Sequence, residues 1–374
     1  MRATSDRSPG LSRPTLVTID LDHLRHNGAV ARRHAGSARL LAMVKANAYG
    51  HGAVPVARAL GGLADGFGVS SLEEGIALRA AGIDAEILLL AGCFAPDELA
   101  EIAAHRLQVV VHAEWQIRAL LAARLPRPLV VWLKLDTGMH RLGLSPAAAA
   151  DAHGRLAASA RVAELRLLMH FACADLPDDP RNQQQLAAFA AATAGLSGAR
   201  SLANSAALLA LPESRADWVR PGILLYGVNP FVAPHPIAAE LRPVMTLSSR
   251  LIALRTLAAG ESTGYGSDWA APQEMRIGIA AMGYGDGYPR HAPTGTPVLV
   301  KGQRTRILGR VSMDLVAVDL EPVADAAVGD AVVFWGEGLA AWEIARHAGT
   351  IAYELFTGIN ARVPVRYLGA ADPR

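Results

Sequence analysis

The chain has 374 residues, 51% hydrophobic and 19% charged, with 36 basic against 34 acidic side chains and a formal net charge of +2. That is enough apolar sequence for two packed domains, and it excludes a disordered chain, a collagen-like repeat and a coiled coil. The near-balanced charge leaves no electrostatic footprint for nucleic acid or an anionic membrane.

Residues 1–13, MRATSDRSPGLSR, are basic and polar with no apolar core. They read as a flexible leader, not a signal peptide. No stretch approaches the roughly 20 uninterrupted apolar residues of a membrane span. The two cysteines, Cys93 and Cys173, are too few for a disulfide framework and lack zinc spacing. A soluble, cytoplasmic protein is expected.

From 14 to 240, short apolar runs alternate with amphipathic Ala/Arg/Glu stretches. The runs at 39–45, 66–70, 86–91, 107–112, 129–135, 164–170, 199–204 and 218–226 read as buried parallel strands. The stretches at 71–81, 97–105, 114–123, 146–158 and 182–194 read as helices. Eight such units in about 210 residues fit a closed (β/α)8 TIM-like barrel. A doubly wound sheet would place a glycine fingerprint after the first strand, where ANAYGHG stands instead. The pattern then changes. Residues 241–374 show strands at 244–253, 275–281, 297–300, 305–311, 315–319 and 331–334, divided by Gly/Pro/Asp turns, with one helix at 341–348. The expected α/β architecture is a leader (1–13), an α/β barrel (14–240) and a mainly β C-terminal domain (241–374).

Functional groups of such barrels stand at the C-terminal ends of the strands. Here those ends carry Lys45 and Tyr49, then KLDTGMHR (134–141), His170, Asn204–Ser205, and Arg220 followed by Gly222. Only three of the 36 basic residues are lysines: Lys45, Lys134 and Lys301. Lysine can lose its proton when desolvated and attack a carbonyl, which arginine cannot. Lys45 follows the apolar run LLAMV, so a freed amine and a Schiff base with an aldehyde cofactor are expected there. Ser205 and Gly222–Ile223 follow the last two strands, where hydroxyls and close backbone approach suit a phosphate.

AMVKANAYGHG (42–52) resembles the pyridoxal-phosphate attachment motif of bacterial alanine racemases. The resemblance continues through KLDTGMHRLG (134–143), MHFACAD (169–175), ANSAA (203–207), RPGILLYG (220–227), GYG (264–266), MGYGDGYPR (282–290), GRVSMDL (309–315) and RVP (362–364). These blocks run in order through nearly the whole chain. The resemblance implies the interconversion of L- and D-alanine through a pyridoxal 5'-phosphate aldimine, supplying D-alanine for peptidoglycan or degrading it. It implies that Lys45 holds the cofactor and is one catalytic base. Tyr265 of the partner subunit is then the second base, in a homodimer with shared sites. A phenol has an ordinary pKa of about 10, so Tyr265 needs cationic neighbours, and His170 and Arg141 match the family positions around it. Arg220 resembles the residue facing the pyridine nitrogen; because guanidinium keeps its proton, it weakens the electron sink and favours reprotonation at Cα. Arg141, Met313 and Asp314 resemble substrate-binding residues, Met313 through its backbone N–H. Tyr49, Ser205, Gly222 and Ile223 resemble phosphate contacts, Asn204 and His170 cofactor contacts, and Tyr284 an entrance residue. Lys134 resembles a lysine carbamylated in some members. No metal is implied.

Two positions depart from the family pattern. Ala361 stands where some members place a tyrosine before the final RVP, which opens the pocket to larger amino acids. Ser312 stands where cysteine is common. Related two-domain decarboxylases carry a glycine-triplet loop and a Cys–Asp pair in the second domain; neither is present. Single-barrel cofactor carriers lack a second domain altogether.

Overall fold

The computed structural model describes residues 13–369. It divides into two compact units, Leu21–Arg242 and a second made of 13–20 with Pro243–Gly369. The first strand, β1 (Leu16–Asp20), therefore corrects the expected start of the barrel at 14. β1 pairs antiparallel with β10 (Met245–Leu257) and parallel with β16 (Val365–Leu368), so the first described strand belongs to the β unit. Val17 and Ile19 bury one face of β1 while its alternate residues stay half-exposed, the period-2 pattern of a strand lying on a core. Most of the expected leader lies outside the described residues. Arg13 is anchored, donating to Asp286 (2.7 Å) and Asp314 (3.0 Å).

The barrel closes through β2 (Arg39–Met43), β3 (Gly66–Val69), β4 (Glu86–Leu89), β5 (Gln108–Val111), β6 (Leu129–Lys134), β7 (Val162–Leu168), β8 (Arg200–Ser201) and β9 (Trp218–Val219). All eight pair parallel in chain order, and β9 returns to β2. One strand falls within each of the first five and last two expected runs, and β7 starts two residues before the sixth. β3, β5 and most of β2, β4 and β6 are buried on both faces, which is why they read as continuous apolar runs. Helices form at all five expected places, for instance Leu72–Ala80 and Pro180–Ala192. The latter starts cleanly because the Asp179 carboxylate accepts from the Arg181 N–H (2.9 Å) and Pro180 sits in the first turn. Helices at Leu21–Ala35, Ala53–Ala59 and Ser205–Ala210 were not expected.

At the N-terminal end of the barrel, buried Arg166 bonds Glu86 and Glu164 (2.6 Å each) and lies 5.0 Å from the ring centroids of Trp132 and Trp218. Gln108 donates to Glu86 (2.6 Å) and accepts from the Trp132 indole (2.7 Å). Every charge in this floor is partnered, as burial requires.

The second unit is one eight-stranded sheet, joining β1, β10 and β16 to β11 (Met275–Ala280), β12 (Pro297–Val300), β13 (Gln303–Leu308), β14 (Val316–Asp319) and β15 (Ala331–Trp335). β10 runs through 13 residues and changes partner along its length, from β1 and β15 to β11, with register shifts at Leu247/Ser248 and Leu251/Ala253. Such irregularities bend a strand. The expected helix forms at Ala341–His347. Among the described residues no helix is long and apolar enough to cross a membrane.

Candidate active site

Strand β2 stops at Met43 and Lys45 opens a tight turn. Ala46, Asn47, Ala48 and Tyr49 all hold φ between 51° and 55°, one turn of left-handed helix without a glycine. Left-handed backbone costs L-residues roughly 1–2 kcal/mol each, so the surroundings must hold it. Glu74 accepts from the Ala46 N–H (2.7 Å), the Asn47 side chain accepts from the Ala53 N–H (2.9 Å), and Gly52 N–H donates to the Asn47 carbonyl (2.9 Å). His51, fully buried, donates from Nδ1 to the Tyr49 carbonyl (2.9 Å). Burial and nearby Arg141 lower the Lys45 pKa, against a smaller opposing effect of Glu74. A neutral, nucleophilic amine is thereby brought closer to neutral pH.

The other strand ends gather cations around it. Lys134 closes β6 and is buried; burial first, then Arg220 and Arg141, pull its pKa down to about 8. Arg220 follows β9, fully enclosed, and burial lowers it to about 10, still charged at neutral pH. Its Nη1 donates to Ser201 (2.7 Å) and its Nη2 to the Met169 carbonyl (2.6 Å) and His170 Nδ1 (3.2 Å). Guanidinium only donates, so Nδ1 of His170 is an acceptor and the ring proton sits on Nε2. Burial and then Arg220, Lys134, Arg141 and Lys45 hold the His170 pKa well below its ordinary value. His170 is thus neutral, which corrects the expectation that it supplies positive charge.

The expected phosphate residues also meet. Ser205 Oγ accepts from the Gly222 N–H (2.8 Å) and the Leu224 N–H (3.4 Å). A Cβ built on Gly222 would stand 2.7 Å from the Tyr49 hydroxyl. Only glycine leaves that cradle open. Ile223 is buried at the start of the next turn. The Asn204 side chain caps the helix Ser205–Ala210 by accepting from the Ala207 N–H (3.0 Å).

In the β unit, Tyr265 is 71% exposed. Gly264 and Gly266 flank it with φ of 83° and 80°, backbone that glycine adopts without strain. Tyr265, Met313 and Asp314 line one open depression with Gly264, Ser312 and Leu315. Tyr284 is partly exposed, and its N–H donates to the Ser312 carbonyl (3.0 Å). Ala361 is exposed. The structure thus collects the expected residues into a barrel group and a β-unit group.

Two further residues organise the barrel group and were not singled out from sequence. The Asp136 carboxylate accepts from the N–H groups of Gly138 (3.1 Å), Met139 (3.1 Å) and His140 (3.0 Å), fixing the loop that leads to Arg141. Buried Gln185 accepts from the Ala172 N–H (2.9 Å) and donates to the His170 carbonyl (3.0 Å) and Thr137 (3.3 Å). It ties the Arg141 loop to the His170 loop. Asp136 lay inside a recognised motif; Gln185 carried no signal.

A family model described as alanine racemase, N-terminal domain, matches residues 19–230, and one described as alanine racemase, C-terminal domain, matches 244–367. The chain is 52% identical over 357 residues to a catabolic alanine racemase of Pseudomonas putida, covering 96% of this chain and 99% of that protein. It is equally identical over the same shares to an alanine racemase of Pseudomonas taetrolens. Among solved structures, a biosynthetic alanine racemase from Pseudomonas aeruginosa superposes with a TM-score of 0.93 at 51% identity, covering 95% of this chain and 99% of that one. One from Acinetobacter baumannii gives 0.90 at 36% identity, covering 95% and 100%. The chain belongs to the alanine racemase family.

Proposed function

We propose that the protein interconverts L- and D-alanine with pyridoxal 5'-phosphate, using Lys45 and Tyr265 as bases on opposite faces of the substrate Cα. The observation that carries this reading is a half-buried lysine of lowered pKa among cations, beside a glycine-only cradle under Tyr49 and Ser205. The donor set fits the cofactor: Ser205, Tyr49 and the Gly222–Ile223 backbone would take the phosphate, Arg220 the pyridine nitrogen, and Lys45 the aldehyde carbon. When bound, pyridoxal phosphate supplies an electron sink that acidifies the substrate Cα–H.

The chain's own groups account for the rest. Arg141, steadied through Asp136, takes the substrate carboxylate. The Lys45 amine removes or returns the Cα proton on one face, and the Tyr265 hydroxyl serves the other. Neutral His170, its Nδ1 occupied by Arg220, offers its Nε2–H as a donor. Arg220 stays charged and keeps its protons, so it would not protonate the pyridine nitrogen. Lys134, with a pKa near 8, has about a tenth of its amine neutral at pH 7. That amine can add to carbon dioxide and release a proton, turning a cation beside Arg141 and Arg220 into an orienting anion.

Tyr265 is supplied by the partner subunit of a homodimer. Its 71% exposure, with exposed Met313 and Leu315 beside it, supports a surface completed by a second copy. The expected location is the cytoplasm, and the D-alanine serves peptidoglycan synthesis or catabolism. The test is chiral chromatography after incubating the purified protein and pyridoxal phosphate with single L-amino acids. D-Alanine as the dominant product supports the reading; D-isomers of larger amino acids would trace to Ala361; absence of any D-product would overturn it.

A further inference from the structure

In the β unit, three consecutive carbonyls are held from one side. Tyr284 N–H donates to the Ser312 carbonyl (3.0 Å), Gly285 N–H (2.9 Å) and Arg362 Nη2 (3.3 Å) to the Met313 carbonyl, and Arg13 Nη2 (3.0 Å) to the Asp314 carbonyl. No peptide bond here is cis, and in a trans peptide the N–H points opposite to the C=O. The N–H groups of Met313 and Asp314 are therefore turned the other way, and neither has a hydrogen-bond partner among the described residues. Both residues line the depression that holds Tyr265. Adjacent N–H groups of this kind receive an anion.

One feature of the segment opposes that role: the Asp314 carboxylate would repel an incoming anion. Both arginines take it, Arg13 Nη1 at 3.0 Å and Arg362 Nη2 at 2.8 Å, and their hydrogen bonds keep the acid below its ordinary pKa. The arginines are fixed in turn by fully buried Asp286, which accepts from Arg13 Nη2 (2.7 Å), Arg362 Nε (2.9 Å) and the Gly283 N–H (2.9 Å). Two cations balance two anions. The tight fit depends on Gly283 and Gly285, where a Cβ would stand 2.2 Å from the Met313 carbonyl oxygen and 2.6 Å from Arg362 Nη2.

We propose that Arg13 and Arg362 are positioning residues for substrate recognition, holding the Ser312–Asp314 carbonyls and masking the Asp314 charge so that the Met313 and Asp314 N–H groups receive the substrate carboxylate. The inference rests on the racemase reading of this loop. The test compares the holoenzyme with Arg13→Gln, Arg362→Gln and the conservative Arg13→Lys. Readouts are KM and kcat for alanine, competition by propionate (a carboxylate without the amine), and the cofactor's visible absorbance. Arg13→Gln and Arg362→Gln should raise KM and the propionate inhibition constant together, by about tenfold, as loss of a hydrogen-bonded charge partner does. The absorbance should not change, and Arg13→Lys should recover part of the loss. KM and propionate inhibition at wild-type values in a variant that merely melts earlier would overturn the proposal and leave a structural brace. If the wild-type protein racemises nothing, the functional reading fails separately, and calorimetric propionate binding to wild type against Arg13→Gln decides the clamp: weaker binding by the variant supports it, equal binding overturns it.

Discussion

At the scale of single residues, environment decides which ionisable groups can work. Lys45 and Lys134 share a side chain with Lys301, yet only the first two are desolvated among other cations; Lys301 pairs with Asp325 and its pKa rises. Replacing Lys45 by Ala should abolish the visible absorbance of the bound cofactor and activity together; an unchanged spectrum would remove Lys45 from its role. His51 gives a stability prediction. Burial pulls it down to about 4, against the 6.5 of an ordinary imidazole. The folded chain refuses a proton that the unfolded chain accepts, so its stabilising neutrality is fully present above 6.5 and is lost as pH falls toward 4. The ceiling is about 3 kcal/mol. Urea unfolding at pH 7 and 4.5 should show a smaller loss for His51→Gln than for wild type; equal losses would clear His51 of the effect.

At the scale of elements, the candidate site stands on loops whose backbone is held by side chains from elsewhere. Gln185 on the helix Pro180–Ala192 is the clearest case, since one amide serves both the Arg141 and His170 loops. Gln185→Leu would leave the Ala172 N–H and the His170 carbonyl unpaired, at about 1–3 kcal/mol each. The urea midpoint and kcat should both fall; a variant with wild-type kcat would show that the loops hold themselves. The same case explains what was legible in sequence. Lys45, Arg141, His170, Ser205, Arg220 and Gly222 could be found because strand ends and motifs mark chemistry. Gln185, Arg13 and the clamp of Arg362 could not, because they act on backbone groups that only the fold brings near. β1 escaped for a related reason. Its partners lie more than 220 residues away in the sequence, so no local turn announces it, whereas most of the barrel strands are flagged by their own double-sided burial.

At the scale of the whole molecule, the chain carries its two groups of candidate site residues in separate units, one at the barrel's strand ends and one in connections between strands of the β unit. A single lysine without an opposing base could exchange a Cα proton but would return it to the face it left. In the proposed homodimer a second copy presents Tyr265, and size-exclusion chromatography with light scattering should find a dimer. The central claim is tested most directly by mixing two inactive variants, Lys45→Ala and Tyr265→Ala, under conditions that exchange subunits. In a mixed dimer one site has both bases intact and the other has neither, so an equal mixture should regain about a quarter of wild-type racemisation. No recovery despite proven exchange would contradict the account and place both bases in one chain.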